Sequence, residues 1–266
     1  MKQSPRGPEI IWNTKFATAT RVVQELRHRL GDDLRAAGLR GSIARGTAER
    51  YSDIDFLLIV KKPTSRASGL RNGHVSLLDR ISDNTYCSFN VETWRSAIDQ
   101  VTRPDSELPE LLGGFTKILA VYDPERLFPR LEARARRVPA SVFARSAEKA
   151  LLHSYEDFCR VKNAYLIRDE VVLRDNVLGV THSAALVVAS INRTPFVSDR
   201  EIFRAHRKFR KLPRSYDRIE LLRYGNLKGR QLFKTLLDFY CNVVAFAAEE
   251  GVRLPVSEEA LREAVT

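Results

Sequence analysis

The hydrophobic pattern of the chain changes once, near residue 138, and this change predicts two regions of different structure. Before it, short apolar runs alternate with polar turns, which is typical of strands between helices. After it, apolar residues recur at helical spacing with few interruptions. In the first region this spacing predicts a helix over residues 16–37. Apolar runs that predict strands occupy residues 39–42, 54–60, 86–94 and 117–124.

The remaining segments complete the predicted architecture. Between the second and third strands we expect a polar loop over 64–73 and a helix over 77–81, and a further helix covers 94–101. Helices predicted after residue 138 occupy 140–169, 175–193, 199–212 and 227–251. The predicted fold class is therefore an α/β (α+β) mixed sheet with flanking helices over residues 1–138, followed by an all-α helical bundle over 139–266.

Composition narrows the classes of protein that fit. A chain of 266 residues is long enough for two domains. Cys87, Cys159 and Cys241 are far apart and lack Cys-x-x-Cys spacing, so neither a disulfide framework nor a zinc site is predicted. No run approaches the ~20 apolar residues that span a bilayer, and the first residues lack the apolar core of a secretory signal. We expect a cytoplasmic protein with no membrane partner.

The formal net charge of +11 favours phosphate-rich partners. Basic residues are densest at 204–214 and at 131–137. The charge does not name a partner, because nucleoside triphosphates, tRNA and acidic protein surfaces would all be attracted. Arginines that alternate with apolar residues on a helix also fit a solvated face over a packed one. RNA therefore stays open as a partner.

The stretch GSIARGTAERYSDIDFLLIV, residues 41–60, carries the chemistry that the sequence predicts most sharply. A strand alternates its side chains, so Asp53 and Asp55 project from the same face. Two neighbouring carboxylates repel each other unless a cation lies between them, and oxygen ligands of this kind suit Mg²⁺. The pair therefore predicts a metal site that also receives substrate phosphates.

A phosphate-binding loop is predicted just upstream of the two carboxylates. Gly41 lets backbone N–H groups approach an anion closely, and the Ser42 hydroxyl adds a donor. Arg45, Thr47 and Ser52 lie in the same segment and are further candidates for nucleotide binding.

This segment resembles the signature of the nucleotidyltransferase superfamily related to DNA polymerase beta. The resemblance lies in the order of Gly-Ser, a gap of about ten residues, Asp-hydrophobic-Asp and a hydrophobic run. The resemblance implies that Gly41 and Ser42 hold a triphosphate and that Asp53 and Asp55 bind two Mg²⁺ ions, with Mn²⁺ as an alternative. The family also has a third acidic residue on a later strand. Glu92, in YCSFNVETW, fits the hydrophobic-acid-hydrophobic pattern and would complete the triad as a metal ligand or serve as base. Asp83 lies in the same neighbourhood.

The second region shows a weaker resemblance. SINRTPFVSDREIFRAHRKFRKLP, residues 190–213, is similar to the helical domain of lincosamide and aminoglycoside nucleotidyltransferases. In such enzymes this domain closes the cleft and can supply an acidic base to the acceptor hydroxyl. Glu156 and Glu170 are the candidates here, although each also fits plain surface charge. The implied reaction is transfer of a nucleoside monophosphate from a triphosphate, with release of pyrophosphate.

Three acceptors remain open at this stage. The short chain and the helical second region favour a small molecule. The net charge favours an RNA end such as that of tRNA, but no RNA-binding module is recognisable. The third interpretation is a regulatory or toxin–antitoxin protein that nucleotidylates or restrains a partner protein.

Overall fold

The computed structural model of the chain describes residues 7–62, 85–204, 209–254 and 261. The loop predicted at 64–73, the helix predicted at 77–81 and the alternative acid Asp83 lie outside these residues.

The chain divides into two compact units. The first, which we call the sheet unit, comprises residues 1–102 and 114–137, and the second, the helical unit, comprises 103–113 and 138–266. Residues 103–113 thus group with the helical unit, whereas the sequence-based division at residue 138 assigned them to the first region.

The sheet unit contains the four described strands together with several helices. In chain order its elements are α1 (Gly7–Leu30), a 3₁₀ turn (Gly31–Asp33), β1 (Leu34–Leu39), α2 (Gly41–Arg45), β2 (Ile54–Val60), β3 (Cys87–Thr93) and α3 (Trp94–Thr102), then β4 (Leu119–Tyr122) and α5 (Leu127–Ala135). Helix α4 (Leu108–Phe115) begins in the helical unit and ends in the sheet unit.

The four strands form one mixed sheet in the order β3-β2-β1-β4. Strand β1 pairs antiparallel with both β2 and β4, while β2 and β3 are parallel. On one face, apolar side chains of β1, β2 and β3 pack with those of α1, as shown by the fully buried Leu39, Ile54 and Phe56. The predicted fold class, a mixed sheet with flanking helices and a helical second part, is confirmed.

The sequence-based position of the first strand is wrong by about five residues. Residues 34–39 form β1, although residues 34–37 were assigned to the end of the first helix, and residues 41 and 42, which were assigned to the strand, begin the short helix α2. Helix α1 ends because Gly31 adopts φ +54, in the left-handed region where an α-helix does not continue. The apolar residues of LRAAGL fit a helical period as well as a buried strand, so the pattern alone could not separate the two.

The helical unit follows the predicted helices with three differences, the first being that the helix predicted over 175–193 begins five residues earlier, at Glu170. Its elements after residue 138 are α6 (Ala140–Leu166), α7 (Glu170–Ile191), α8 (Asp199–Arg204), α9 (Arg218–Tyr224) and α10 (Gly229–Glu249). The helix predicted over 199–212 is described only over α8, and residues 209–212 are not helical. Helix α9 was not predicted.

Helix α7 forms the centre of this unit. By length and composition it is long and apolar enough to cross a membrane. Val177, Val180 and Ala184 are nevertheless fully buried against the other helices of the unit. The core helix of a folded domain can be equally long and apolar. Packing against the other helices therefore explains the apolar surface of α7.

Candidate active site

A row of three residues crosses the sheet at one end of β2. Leu39 pairs with Phe56, so Arg40 follows next to Asp55, and the Arg40 backbone N–H donates to the Asp55 carbonyl over 2.8 Å. On the other side Asp55 pairs with Ser88, whose hydroxyl donates to Asp55 Oδ1 over 2.6 Å. Side chains directly opposite each other on paired strands project from the same face. Arg40, Asp55 and Ser88 therefore present one positive, one negative and one hydroxyl group together.

Gly41 is required at its position for two reasons. Its φ of +64 lies in the left-handed region, which favours glycine. A Cβ atom built on it would also stand 2.1 Å from Asp55 Oδ2, a distance that no side chain can occupy. The Asp55 carboxylate therefore lies directly against the Gly41 backbone. The approach of a phosphate to the same segment stays a prediction.

The loop after Gly41 folds back on itself. Ala44 N–H donates to the Arg40 carbonyl at the start of α2, and Thr47 N–H donates to the Ser42 carbonyl over 2.9 Å. The first N–H groups of a helix have no acceptor within the helix, so those of residues 41–43 are available to an anion. Arg45 is half-buried at the last position of α2. Gly41 thus lies against Asp55, and Ser42, Arg45 and Thr47 belong to the same short helix and turn.

Asp53 lies two residues before Asp55, immediately ahead of β2. Partial burial and the negative charge of Asp55 raise the pKa of Asp53 above its usual range. The two carboxylates thus repel each other, as expected for a pair that a cation would bridge. Ser52, another predicted nucleotide ligand, has a different role in this structure: its hydroxyl accepts the Glu49 N–H over 2.9 Å and closes a turn.

Lys15 is a site residue that the sequence analysis missed. It lies on α1, is only 5% exposed, and its Nζ donates to the Ser52 carbonyl over 2.5 Å. Its positive charge acts on Asp53 and partly offsets the rise in the pKa of that carboxyl. A lysine at the polar start of a predicted helix carries no pattern that would separate it from surface lysines, because only the packing of α1 on the sheet buries it.

Glu92 is not brought together with Asp53 and Asp55. It is four residues beyond Ser88 on β3 and pairs with Ile59, roughly 13 Å along the strand from the Asp55 row. Its Oε1 accepts a hydrogen bond of 2.5 Å from Gln100 Nε2 on α3. Within the part of the chain that the structure describes, no cluster of three or more His, Cys, Asp or Glu side chains is placed to hold a metal ion. The role of Glu92 stays a prediction.

Arg40 is the second residue that the sequence analysis missed. Burial lowers the pKa of its guanidinium, while the charges of Asp55 and Glu92 oppose that shift. The guanidinium lies over the Phe115 ring, 5.6 Å from its centroid. Its Nε is fully buried and has no hydrogen-bond partner. An arginine directly before Gly-Ser at a strand end was the available signal, and its burial decides its importance.

The acids proposed from the helical unit have different surroundings. Glu156 is exposed on α6. Glu170 accepts the Gly229 N–H over 3.2 Å and borders a cavity of ≈ 410 Å³. Asp157, which was not singled out, lies against Gly179 of α7, where a Cβ would stand 2.7 Å from its Oδ2. Burial raises the pKa of Asp157. The cavity is lined by Tyr165, Leu166, Arg168, Glu170, Leu173, Gly229 and Arg230.

Comparison with known proteins agrees with this geometry. Residues 20–109 match the family model of the nucleotidyltransferase domain. This range includes the second part of α1 and the whole Gly-Ser and Asp-Ile-Asp segment. An aminoglycoside nucleotidyltransferase (4') from Staphylococcus aureus is 20% identical over 245 residues, covering 90% of this chain and 93% of that protein. One from a Bacillus species matches with the same identity and coverage.

A solved structure shows the same fold at low identity. The nucleotidyltransferase-like protein from Exiguobacterium sibiricum superposes with a TM-score of 0.52 and 10% identity, covering 88% of this chain and 75% of that one. The chain carries a nucleotidyltransferase domain, and the family and enzyme class expected from the sequence are confirmed.

Proposed function

We propose that this nucleotidyltransferase transfers a nucleoside monophosphate from a nucleoside triphosphate to a hydroxyl of a small molecule and releases pyrophosphate. The observation that carries the proposal is the contact of the Asp55 carboxylate with the Gly41 backbone, with Asp53 near enough for the charge of Asp55 to raise its pKa. This contact joins the predicted metal ligands to the predicted phosphate loop.

The donor set fits a hard divalent cation. Asp53 and Asp55 offer carboxylate oxygens only, they repel each other, and Ser88 and the backbone fix Asp55. Oxygen donors of this kind suit Mg²⁺ or Mn²⁺. When bound, the ion supplies charge neutralisation on the reacting phosphate and activation of the acceptor hydroxyl. Two ions were expected from the family resemblance, with Glu92 as a third ligand; because Glu92 lies apart from this pair, the proposal assigns the metal site to Asp53 and Asp55.

The residues of the chain bind and orient the triphosphate. The N–H groups at the start of α2 and the Ser42 hydroxyl donate to phosphate oxygens, and Gly41 leaves room for the Asp55 carboxylate beside them because it has no side chain. Arg45 adds a positive charge at the end of the same short helix. Lys15 holds the strand entry next to Asp53 through the Ser52 carbonyl. Together these groups place the reacting phosphate beside the two carboxylates.

The class of acceptor is taken from the relatives. Both curated relatives are named as aminoglycoside nucleotidyltransferases, and the similarity covers 90% of this chain, including the helical unit. A polar small molecule with hydroxyl groups, such as an aminoglycoside, is therefore the first acceptor to test.

A labelling experiment tests both the reaction and the acceptor. Each of the four α-labelled nucleoside triphosphates is incubated with Mg²⁺ and the protein, either alone, with total tRNA, or with a panel of hydroxyl-rich small molecules that includes aminoglycosides. We expect the label in a small molecule, with one pyrophosphate released for each label transferred. Asp53→Asn and Asp55→Asn should lose at least about 10³-fold in rate while their circular dichroism stays unchanged. Equal turnover in these variants would contradict the proposal.

RNA is the second candidate acceptor, and the net charge of +11 is the observation that favours it. Binding to tRNA through phosphate contacts falls steeply with salt, so a label in tRNA together with a salt-sensitive complex would replace the small-molecule acceptor. A label in the protein itself or in an added protein would favour the regulatory, toxin–antitoxin type of function.

A further inference from the structure

We propose that Arg40 is a substrate-binding residue of this site, whose guanidinium binds the triphosphate of the nucleotide next to Asp55. The inference rests on the proposed function, since it assigns a further ligand within the same site. Neither the family signature nor the predicted phosphate loop includes Arg40, because both begin at Gly41.

The position of the Arg40 side chain is fixed from both ends. At the backbone, its N–H donates to the Asp55 carbonyl over 2.8 Å, which locks it into the row beside Asp55. At the other end, the guanidinium lies over the ring of Phe115, and a Cβ on Gly114 would stand 3.5 Å from one of its terminal nitrogens. An arginine held in this way loses little conformational freedom when it binds a ligand.

The hydrogen-bonding capacity of this arginine is not used up by the protein. Arg40 Nε is fully buried without a partner, which is costly for a charged donor. The charges of Asp55 and Glu92 act on Arg40, but the hydrogen bonds to Asp55 Oδ1 and Glu92 Oε1 come from Ser88 and Gln100. A phosphate chain beside Asp55 supplies acceptors and negative charge together, and guanidinium pairs with phosphate in a geometry that a single ammonium cannot match.

The same charge also balances the site. Asp53 and Asp55 carry two negative charges, and Lys15 and Arg40 supply permanent positive charges on the two sides of this pair. Removing Arg40 should therefore weaken the binding of an anion without weakening the binding of a cation to the carboxylates. If Arg40 were purely structural, its loss would weaken the binding of the anion and of the cation alike.

Two probes separate these cases without any need for turnover. Mg²⁺-tripolyphosphate, titrated by calorimetry, reports on the triphosphate subsite independently of the base. Mn²⁺, followed by the electron paramagnetic resonance of the free ion, reports on the carboxylates. The variants are Arg40→Met, which removes the charge at similar length, and Arg40→Lys, which keeps it. Arg35→Met is the matched control, because Arg35 lies on β1 and forms an ion pair with Glu125 at the surface.

We expect Arg40→Met to bind tripolyphosphate at least about tenfold more weakly, Arg40→Lys to recover part of that loss, and Arg35→Met to change it less than about twofold. Mn²⁺ binding should be unchanged or tighter in Arg40→Met. The inference is overturned if Arg40→Met binds tripolyphosphate as Arg35→Met does, or if it loses Mn²⁺ in proportion. Should Arg40→Met unfold, Arg40→Lys decides: it should bind tripolyphosphate more weakly than Arg35→Met and keep Mn²⁺ binding, because an ammonium cannot match the guanidinium geometry. Binding of tripolyphosphate equal to that of Arg35→Met would overturn the inference.

Failure of this inference and failure of the proposed function give different results. If the wild-type protein neither binds Mn²⁺ nor transfers a nucleotide, the proposed function itself fails. If the wild-type protein does both and Arg40→Met still binds tripolyphosphate normally, only the role of Arg40 is wrong.

Discussion

Arg40 in the sheet unit and Arg223 in the helical unit are packed alike but are satisfied differently. Each guanidinium lies over a phenylalanine ring, Phe115 at 5.6 Å and Phe203 at 3.8 Å, and each has a buried Nε without a partner. Arg223, however, donates from one terminal nitrogen to the Leu178 carbonyl and the Thr181 hydroxyl, both within its own unit.

The helical unit repeatedly uses cations in this structural way. Arg174 donates to the carbonyls of Leu222, Gly225 and Leu227 over 3.2, 3.2 and 2.8 Å, which holds the turn between α9 and α10 against α7. Carbonyl dipoles there replace water without adding a counter-charge. The sheet unit instead collects ionised groups of both signs at one end of β2. A buried cation among dipoles stabilises a fold, whereas a buried cation among carboxylates prepares a site for a charged ligand.

The largest effect should come from Gly41, on the sheet-unit side of this comparison. Gly41→Ala forces a Cβ into the Asp55 carboxylate and keeps an unfavourable positive φ. Because displacement of a reacting group by about 1 Å can cost 10²-fold, we expect kcat/KM for nucleotide transfer to fall at least about 100-fold. Gly31→Ala is the control, since Gly31 also has positive φ but has no atom within 4 Å of the added Cβ. It should lose stability and keep activity; equal losses in both variants would contradict the steric argument.

The next largest effect is expected when each of the two arginines is replaced by methionine. Arg223→Met should lower the free energy of unfolding by about 2 kcal/mol, because it leaves the Leu178 carbonyl and the Thr181 hydroxyl without this donor. Arg40→Met should cost less than about 1 kcal/mol, since it removes a donor that the protein does not satisfy. Denaturant titration measures both. A larger loss of stability in Arg40→Met than in Arg223→Met would break the comparison.

A smaller effect is expected at Ser88, the hydroxyl end of the row. Ser88→Ala removes one hydrogen bond to Asp55 Oδ1, worth about 1 kcal/mol, so kcat/KM should fall about fivefold with little change in stability. Ser88→Thr keeps the hydroxyl and suits a strand, and it should retain most of the activity. If Ser88→Thr were as impaired as Ser88→Ala, the shape of the side chain rather than its hydrogen bond would be responsible.

The smallest effect is a pH dependence at Asp53. Burial and the charge of Asp55 raise the pKa of Asp53 in the folded protein, so the ionised carboxylate destabilises the fold above that pKa, and the penalty disappears as pH falls through it. Asp53→Asn should therefore melt at a higher temperature than the wild type at about pH 7.5, with the difference shrinking toward about pH 4. Thermal melts in EDTA measure this. A difference that grows on acidification would have the wrong sign.

Sequence alone predicted the local chemistry of this protein. The motif from Gly41 to Asp55 can be recognised from consecutive residues, because backbone conformation and strand alternation set the directions of those side chains without distant contacts. The two-part architecture was equally local, since helical and strand periods differ. The place of β1 was missed because a short apolar run fits both periods, and the choice between them is made by pairing with β2 and β4.

Only the tertiary structure decided which further residues join the site. Lys15 comes from α1 and Arg40 from the end of β1, and each owes its role to burial by distant segments. The register of β2 against β3 set Ser88, rather than Glu92, beside Asp55. A strand sequence shows which residues share a face, but it does not show how far along its neighbour it is paired. That register is fixed by the packing of the whole sheet, and it decides which groups meet the substrate.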